Sequence, residues 1–286
     1  MMNRETQKKI EEQCFRWLMR LAVLVILAVI VLVLTVVVLK GGRAMSWQMI
    51  TRVPQGGFYL GGEGGILNAI IGSLYVAGGA VLLAILIGLP LVLGMHVSWT
   101  RNTRLVTFLR FLLDTLWGIP SIVYGAFGFA LMTFFQWRAS LLAAIVTVAL
   151  LIVPIISRGL DEVLRGVPEG LLEAAHALGA TKTEIAYRVF FRQALPGFIT
   201  AVLLAFGRAI GDTASVLFTA GYTDNLPHAL SDPAATLPLA IFFQLSSPIA
   251  SVQERAYAAT LILTGLIVLI SLITRISSRR LKENIL

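Results

Sequence analysis

Residues 21–39 read LAVLVILAVIVLVLTVVVL, nineteen positions with no charge, no Gly and no Pro. At 1.5 Å per residue a helix of that length spans about 28 Å, close to the roughly 30 Å hydrocarbon core of a bilayer. Lipid offers no partner to a backbone N–H or C=O, so a chain inside it must pair its own backbone, most simply as a helix. Any fold that contains this run is built around a membrane.

The rest of the chain repeats the pattern. Only 13% of its residues are charged, against about 25% in an ordinary soluble domain. Six spans are expected, over residues 15–38, 66–99, 105–135, 141–156, 194–220 and 257–276. The expected class is an all-α membrane protein with six transmembrane helices. The third span contains Gly118-Ile-Pro120; proline removes a backbone hydrogen bond, so a kink or break is expected near Gly118. The first apolar run is longer than the 7–15 or so residues of a signal peptide core, so it is expected to stay as a span.

The net charge of +8 does not point to nucleic acid, because the basic residues cluster between the apolar runs. Seventeen Lys and Arg fall on one side, including Arg4, Arg104, Arg158, Lys182 and Arg280, and five on the other: Lys40, Arg43, Arg52, Arg138 and Arg255. By the positive-inside rule both termini are expected in the cytoplasm. The lone cysteine, Cys14, excludes an internal disulfide. His96, His176 and His228 make no metal-ligand pattern and read as ordinary loop or helix-end residues.

One long cytoplasmic loop then stands out: EGLLEAAHALGATKTEIAYRVFFRQALPG, residues 169–197. Leu171, Leu172, Ala175 and Leu178 have helical spacing with one apolar face. Gly179 stops that helix, and Thr181 with Glu184 three residues on forms a capping-box pattern for a second. Gly179 is the natural pivot because it accepts positive φ. From the residues alone, two readings stay open: an interfacial helix that joins two spans, or a helix that docks in a groove of a soluble partner.

Two pairs of charges fall inside spans, where an ionisable residue needs a partner or water. Arg208 and Asp212 are four apart and able to pair along one helical face. They read either as a self-neutralising structural pair or as an anion site in which Asp212 holds the Arg208 fork. Gly207 and Gly211 offer a smooth face for helix packing. Arg110 and Asp114, in the third span, are expected to pair with each other. No G-x-x-x-x-G-K-[ST] motif is present, so a P-loop ATP site is not expected in this chain.

Glu173-Ala174-Ala175, three residues, then Gly179 resembles the EAA loop of ABC importer permeases. The family pattern continues, after nine intervening residues past Gly179, with an apolar residue, which Val189 fits, and then a Leu-Pro, where this chain has Phe191-Arg192. Three further stretches, DTLWGIPSIVYGAFGF, GRAIGDTASVLFTAG and LPLAIFFQLSSPIASVQERAYAATLIL, resemble the A-type permease subunit of the phosphate ABC importer (PstA-like). Asp114, Pro120, Ser121, Arg208, Gly211, Thr213 and Ala214 match that pattern. Asp212 replaces a Glu, and Ser215 stands where the A-type often has Pro.

The resemblance implies a type I ABC importer permease fold with a cytoplasmic EAA coupling helix, in a bacterial inner membrane. It implies a tail, first span and periplasmic loop over residues 1–64, a permease domain over 65–280 and a short cytoplasmic tail over 281–286. The implied partners are a second permease subunit, two ATPase subunits and a periplasmic or extracellular phosphate-binding protein, with lipid around them. Arg208, Asp212 and Thr213 are the implied substrate path; Asp114, Pro120 and Ser121 support it. Glu173, Ala174, Ala175 and Gly179 are the implied ATPase contact. The subunit itself is expected to catalyse no covalent step and to carry no cofactor or metal. The alternatives are the C-type partner permease, a permease for sulfate or molybdate, a proton-driven secondary transporter and a membrane scaffold without transport.

Overall fold

The computed structural model describes residues 4–55, 63–99 and 102–283. Its elements are helices: α1 (Arg4–Ala44), α2 (Trp47–Thr51), α3 (Leu67–Leu93), α4 (Thr103–Gly118), α5 (Ser121–Phe134), α6 (Leu141–Arg165), α7 (Glu169–Ala177), α8 (Lys182–Glu184), α9 (Arg192–Gly211), α10 (Leu237–Leu245) and α11 (Ala250–Glu283). A π-helical turn, Gly94–Ser98, extends α3, and a π-helical stretch, Ile185–Phe191, leads into α9. Among the described residues, five helices are long and apolar enough to cross a membrane, and six if the bent pair α4–α5 counts as one.

The bundle is built around α3 and α6. Ala77, Ala80 and Ala84 of α3 are fully buried, and they meet Ala144, Val148, Ile152 and Ile156 of α6 in one core. Such small residues let two backbones approach closely, which is how helices gain contact where lipid supplies no hydrophobic drive. Helix α9 packs on α6 and α3, and α11 covers α9 and α10. Helix α1 touches the rest chiefly through α11. There the Lys40 ammonium sits 4.8 Å above the Tyr257 ring, and the apolar side chains of residues 21–39 are otherwise mostly exposed, as a lipid-facing span requires.

The third span breaks where proline places the break. Helix α4 stops at Gly118, Ile119 is extended (φ −73°, ψ 130°), and Pro120 opens α5 at a bend of 100°. Tyr124 Oη donates across the gap to the Leu116 carbonyl at 2.7 Å. Gly125 lies so near the Ala214 carbonyl that an added Cβ would be 2.5 Å from its oxygen.

Two expected spans are revised. Residues 194–220 are not one helix: α9 begins at Arg192 and ends at Gly211, and 212–220 are irregular. Asp212 leaves helical geometry (φ −83°, ψ 123°), and its carboxylate accepts from the Ser215 N–H at 2.9 Å. The local side-chain bond competes with the helical ladder and ends it. Residues 141–156 are only the first part of α6, which runs through Pro154 to Arg165. Its start is held by the 219–232 region: the N–H groups of Ser140, Leu141 and Leu142 donate to the carbonyls of Thr219, Asp232 and Leu230.

Candidate functional site

Helix α9 delivers Arg208 to its last turn. The side chain is half exposed and pairs with Asp212 at 3.4 Å, while the Asp212 side chain is only 6% exposed. The expected pair therefore forms, but across the end of a helix, since Asp212 is the residue that leaves it. Arg208 lines a cavity of about 520 Å³ with Trp117 and Ile119 at the break of α4, Leu151, Ile155 and Gly159 of α6, and Ala201 and Leu204 of α9. The wall is mostly apolar and its charged group is a guanidinium. Such a group binds planar or tetrahedral oxyanions with directed N–H donors. Thr213 follows Asp212 in the irregular segment and is partly buried. Pro120 is exposed and Ser121 is the first residue of α5.

The second expected pair does not form. Asp114 is held by Arg158 of α6 at 2.6 Å, and Arg110 turns instead to Asp161 of α6, at 3.0 and 3.1 Å. The preference follows from desolvation: Asp161 is fully buried and needs charged donors, whereas the Asp114 side chain is 53% exposed and water serves it.

Asp161 is the residue that sequence reasoning missed. His96 Nε2 lies 2.8 Å from its Oδ1, and Arg158 and Arg165 donate to Oδ2 at 2.9 and 3.0 Å. With a carboxylate as acceptor, Nε2 of His96 carries the hydrogen. His96, expected to be an ordinary helix-end residue, thus joins a buried ion cluster, while His176 is an exposed helix-end residue and His228 a loop residue. A signal existed in the sequence: Arg158, Asp161 and Arg165 stand at i−3, i and i+4, the spacing of one helical face.

Residues 169–191 fold as the sequence predicts in most respects. Helix α7 covers Glu169–Ala177, and Gly179 takes φ +76°. Thr181 and Glu184 form both halves of a capping box. The apolar face is split, however. Leu172 and Ala175 pack on the core with Leu160, Leu164, Ile185 and Phe190, whereas Leu171 and Leu178 are exposed, Leu178 at 88%. Glu173, Ala174 and Gly179 are exposed and Ala175 partly buried. Gly207 and Gly211, expected to seat a helix, meet nothing within 4 Å of an added Cβ among the described residues. Among the described residues no His, Cys, Asp and Glu group is placed to hold a metal ion.

The multi-span helical bundle has the fold of ABC transporter membrane subunits. It matches the inward-facing MetNI methionine ABC transporter with a TM-score of 0.61 at 21% identity, over 75% of this chain and 95% of that one. It matches a bacterial alginate ABC transporter, solved with an alginate pentasaccharide-bound periplasmic protein, with a TM-score of 0.66 at 12% identity, over 96% of both chains.

Residues 90–283 match the family described as binding-protein-dependent transport system inner membrane component, and this chain belongs to that family. Among curated relatives, it is 33% identical over 245 residues to the phosphate transport system permease protein PstA of Haemophilus influenzae, which is 85% of each chain. It is 34% identical over 242 residues to the PstA protein of Yersinia pestis, covering 84% of this chain and 80% of that one.

Proposed function

We propose that this chain is the A-type permease subunit of a phosphate-importing ABC transporter. The identity of about one third to phosphate permeases along most of the chain carries the reading. The half-exposed Arg208 at a cavity beside a broken helix supports it. The chain would form half of a pore with a second permease subunit, and a periplasmic or extracellular binding protein would deliver phosphate to it. It carries no G-x-x-x-x-G-K-[ST] motif, and in this reading ATP is hydrolysed by two partner subunits while this chain makes no covalent bond with its substrate.

In this reading both termini are cytoplasmic, the chain lies in a bacterial inner membrane, and α7 with the Gly179 turn enters a cleft of the ATPase. The exposed Leu171, Glu173, Ala174 and Leu178 are the groups available for that contact. Arg208 attracts the anion, and Asp212 tethers the guanidinium and screens it, so that phosphate passes rather than stays. Thr213 lies next to them along the path. Asp114, Pro120 and Ser121 hold the two halves of the broken span in place. Residues 65–280 act as the permease domain.

The test is uptake of radiolabelled phosphate at low external concentration, in cells with and without the chain and with sulfate as competitor. Loss of uptake without the chain, unaffected by sulfate in its presence, is the expected result. Unchanged phosphate uptake without the chain reassigns the oxyanion.

A further inference from the structure

We infer that Asp161 is a positioning residue for the transport cycle: it joins the α7–α9 region to the broken span α4–α5 and passes movement from one to the other. The inference rests on the importer reading above and concerns how such a subunit transmits work.

Asp161 is fully buried, yet its two oxygens take three arginines and a histidine. Two of these donors, Arg158 and Arg165, sit on its own helix. The other two, His96 after α3 and Arg110 on α4, come from elsewhere. Removing the partners of a buried carboxylate is strongly unfavourable. A fixed clamp needs only donors from the other helices. Here the donors on α6 keep the carboxylate satisfied when Arg110 or His96 withdraws, so α4 and the Gly94–Ser98 turn are free to shift over α6 without stranding a charge. Arg158 extends the exchange, because it also holds Asp114 of α4.

The cluster stands between two working parts. On one side the His96 ring lies 5.7 Å from that of Phe190. Phe190 is buried with Val92, Leu160, Leu164 and Ile185, in the same core that receives Leu172 and Ala175 of α7. On the other side, seven residues of continuous helix carry Arg110 to Trp117, about 10 Å along α4. Trp117 and Ile119 wall the cavity that Arg208 lines. A shift of α7 thus reaches that cavity through a ring contact, an exchangeable ion cluster and a stiff half-helix. Coupling of this kind requires an element with two arrangements that both sites bias, and the surplus of donors around Asp161 supplies it.

The test uses the complete importer, with both permeases, ATPases and phosphate-loaded binding protein, in proteoliposomes. Phosphate moved per ATP hydrolysed is compared for the unsubstituted chain, Asp161→Asn, Asp161→Glu and Arg110→Gln. Asp161→Asn is expected to lower that ratio at least tenfold and Asp161→Glu to restore at least half of it, which a packing role alone does not predict. Where Asp161→Asn fails to assemble, Arg110→Gln decides, because Arg158 and Arg165 still satisfy the carboxylate; a ratio lowered at least threefold is expected. An unchanged ratio in Arg110→Gln, or uptake and hydrolysis falling in step in Asp161→Asn, overturns the inference. If the unsubstituted importer moves sulfate and not phosphate, the substrate reading fails, and the same ratio measured with sulfate still tests Asp161.

Discussion

Arg208 and Asp212 are joined at 3.4 Å across the end of α9, with the acid nearly buried and the guanidinium half exposed. Asp212 is tied twice, to Arg208 and to the Ser215 N–H, so the tether is fixed and the fork faces the cavity. In the proposed function, the pair presents the guanidinium to the anion.

Arg208→Ala should therefore lower phosphate uptake by roughly 10- to 100-fold, since a hydrogen bond to a charged group contributes about 1.5–3 kcal/mol. Assembly should persist, because the side chain is 51% exposed. Uptake and subunit co-purification from the same membranes check both statements.

Gly179 has φ +76° with open space around it, so a substitution there meets backbone strain and no clash. Gly179→Val should destabilise the turn by about 1–2 kcal/mol and reduce the ATPase retained in washed membranes. Gly179→Asn should retain more, as Asn tolerates the left-handed region. Equal retention in both variants would count against the docking role of the turn.

Thr181→Ala removes one half of the capping box at Lys182–Glu184 and should cost about 1 kcal/mol. Faster amide exchange confined to residues 182–186 is the expected signature.

Asp232 accepts from the backbone N–H groups of Ala229 and His228, and these bonds hold its carboxyl below the usual carboxylate range. A depressed folded value means the carboxylate stabilises the loop above about pH 4, and that contribution is lost as pH falls through the folded value. The same loop supplies the carbonyls that receive the Leu141 and Leu142 N–H groups. Protection of the amides at the start of α6, relative to their intrinsic exchange rates, should fall on acidification and, at neutral pH, in Asp232→Asn. An Asp232→Asn exchange pattern equal to that of the unsubstituted chain at pH 7 would contradict this.

The spans, the break at Pro120, the Gly179 turn and the Thr181 cap were legible because each follows from local chemistry: apolar length, a missing N–H, positive φ and a side-chain acceptor. The partners of Arg110 and Asp114 were not, because four residues of spacing say that two charges can meet, while burial decides whether they do. Asp161 lies past residue 156, where the apolar run of its span ends, and it belongs to the bundle only because α6 continues to Arg165. The end of α9 was hidden for a related reason. Residues 212–220 are apolar enough to continue a span, but the helix ends where Asp212 leaves helical geometry and accepts from the Ser215 N–H.

In the proposed function this subunit moves phosphate with ATP as the driving force. The most direct measurement is phosphate accumulation by the purified importer in proteoliposomes, with phosphate-loaded binding protein outside and ATP inside, with and without an imposed proton gradient. ATP-dependent accumulation that ignores the gradient and falls by roughly 10- to 100-fold in Arg208→Ala is the predicted result. Accumulation driven by the gradient in the absence of ATP would contradict it.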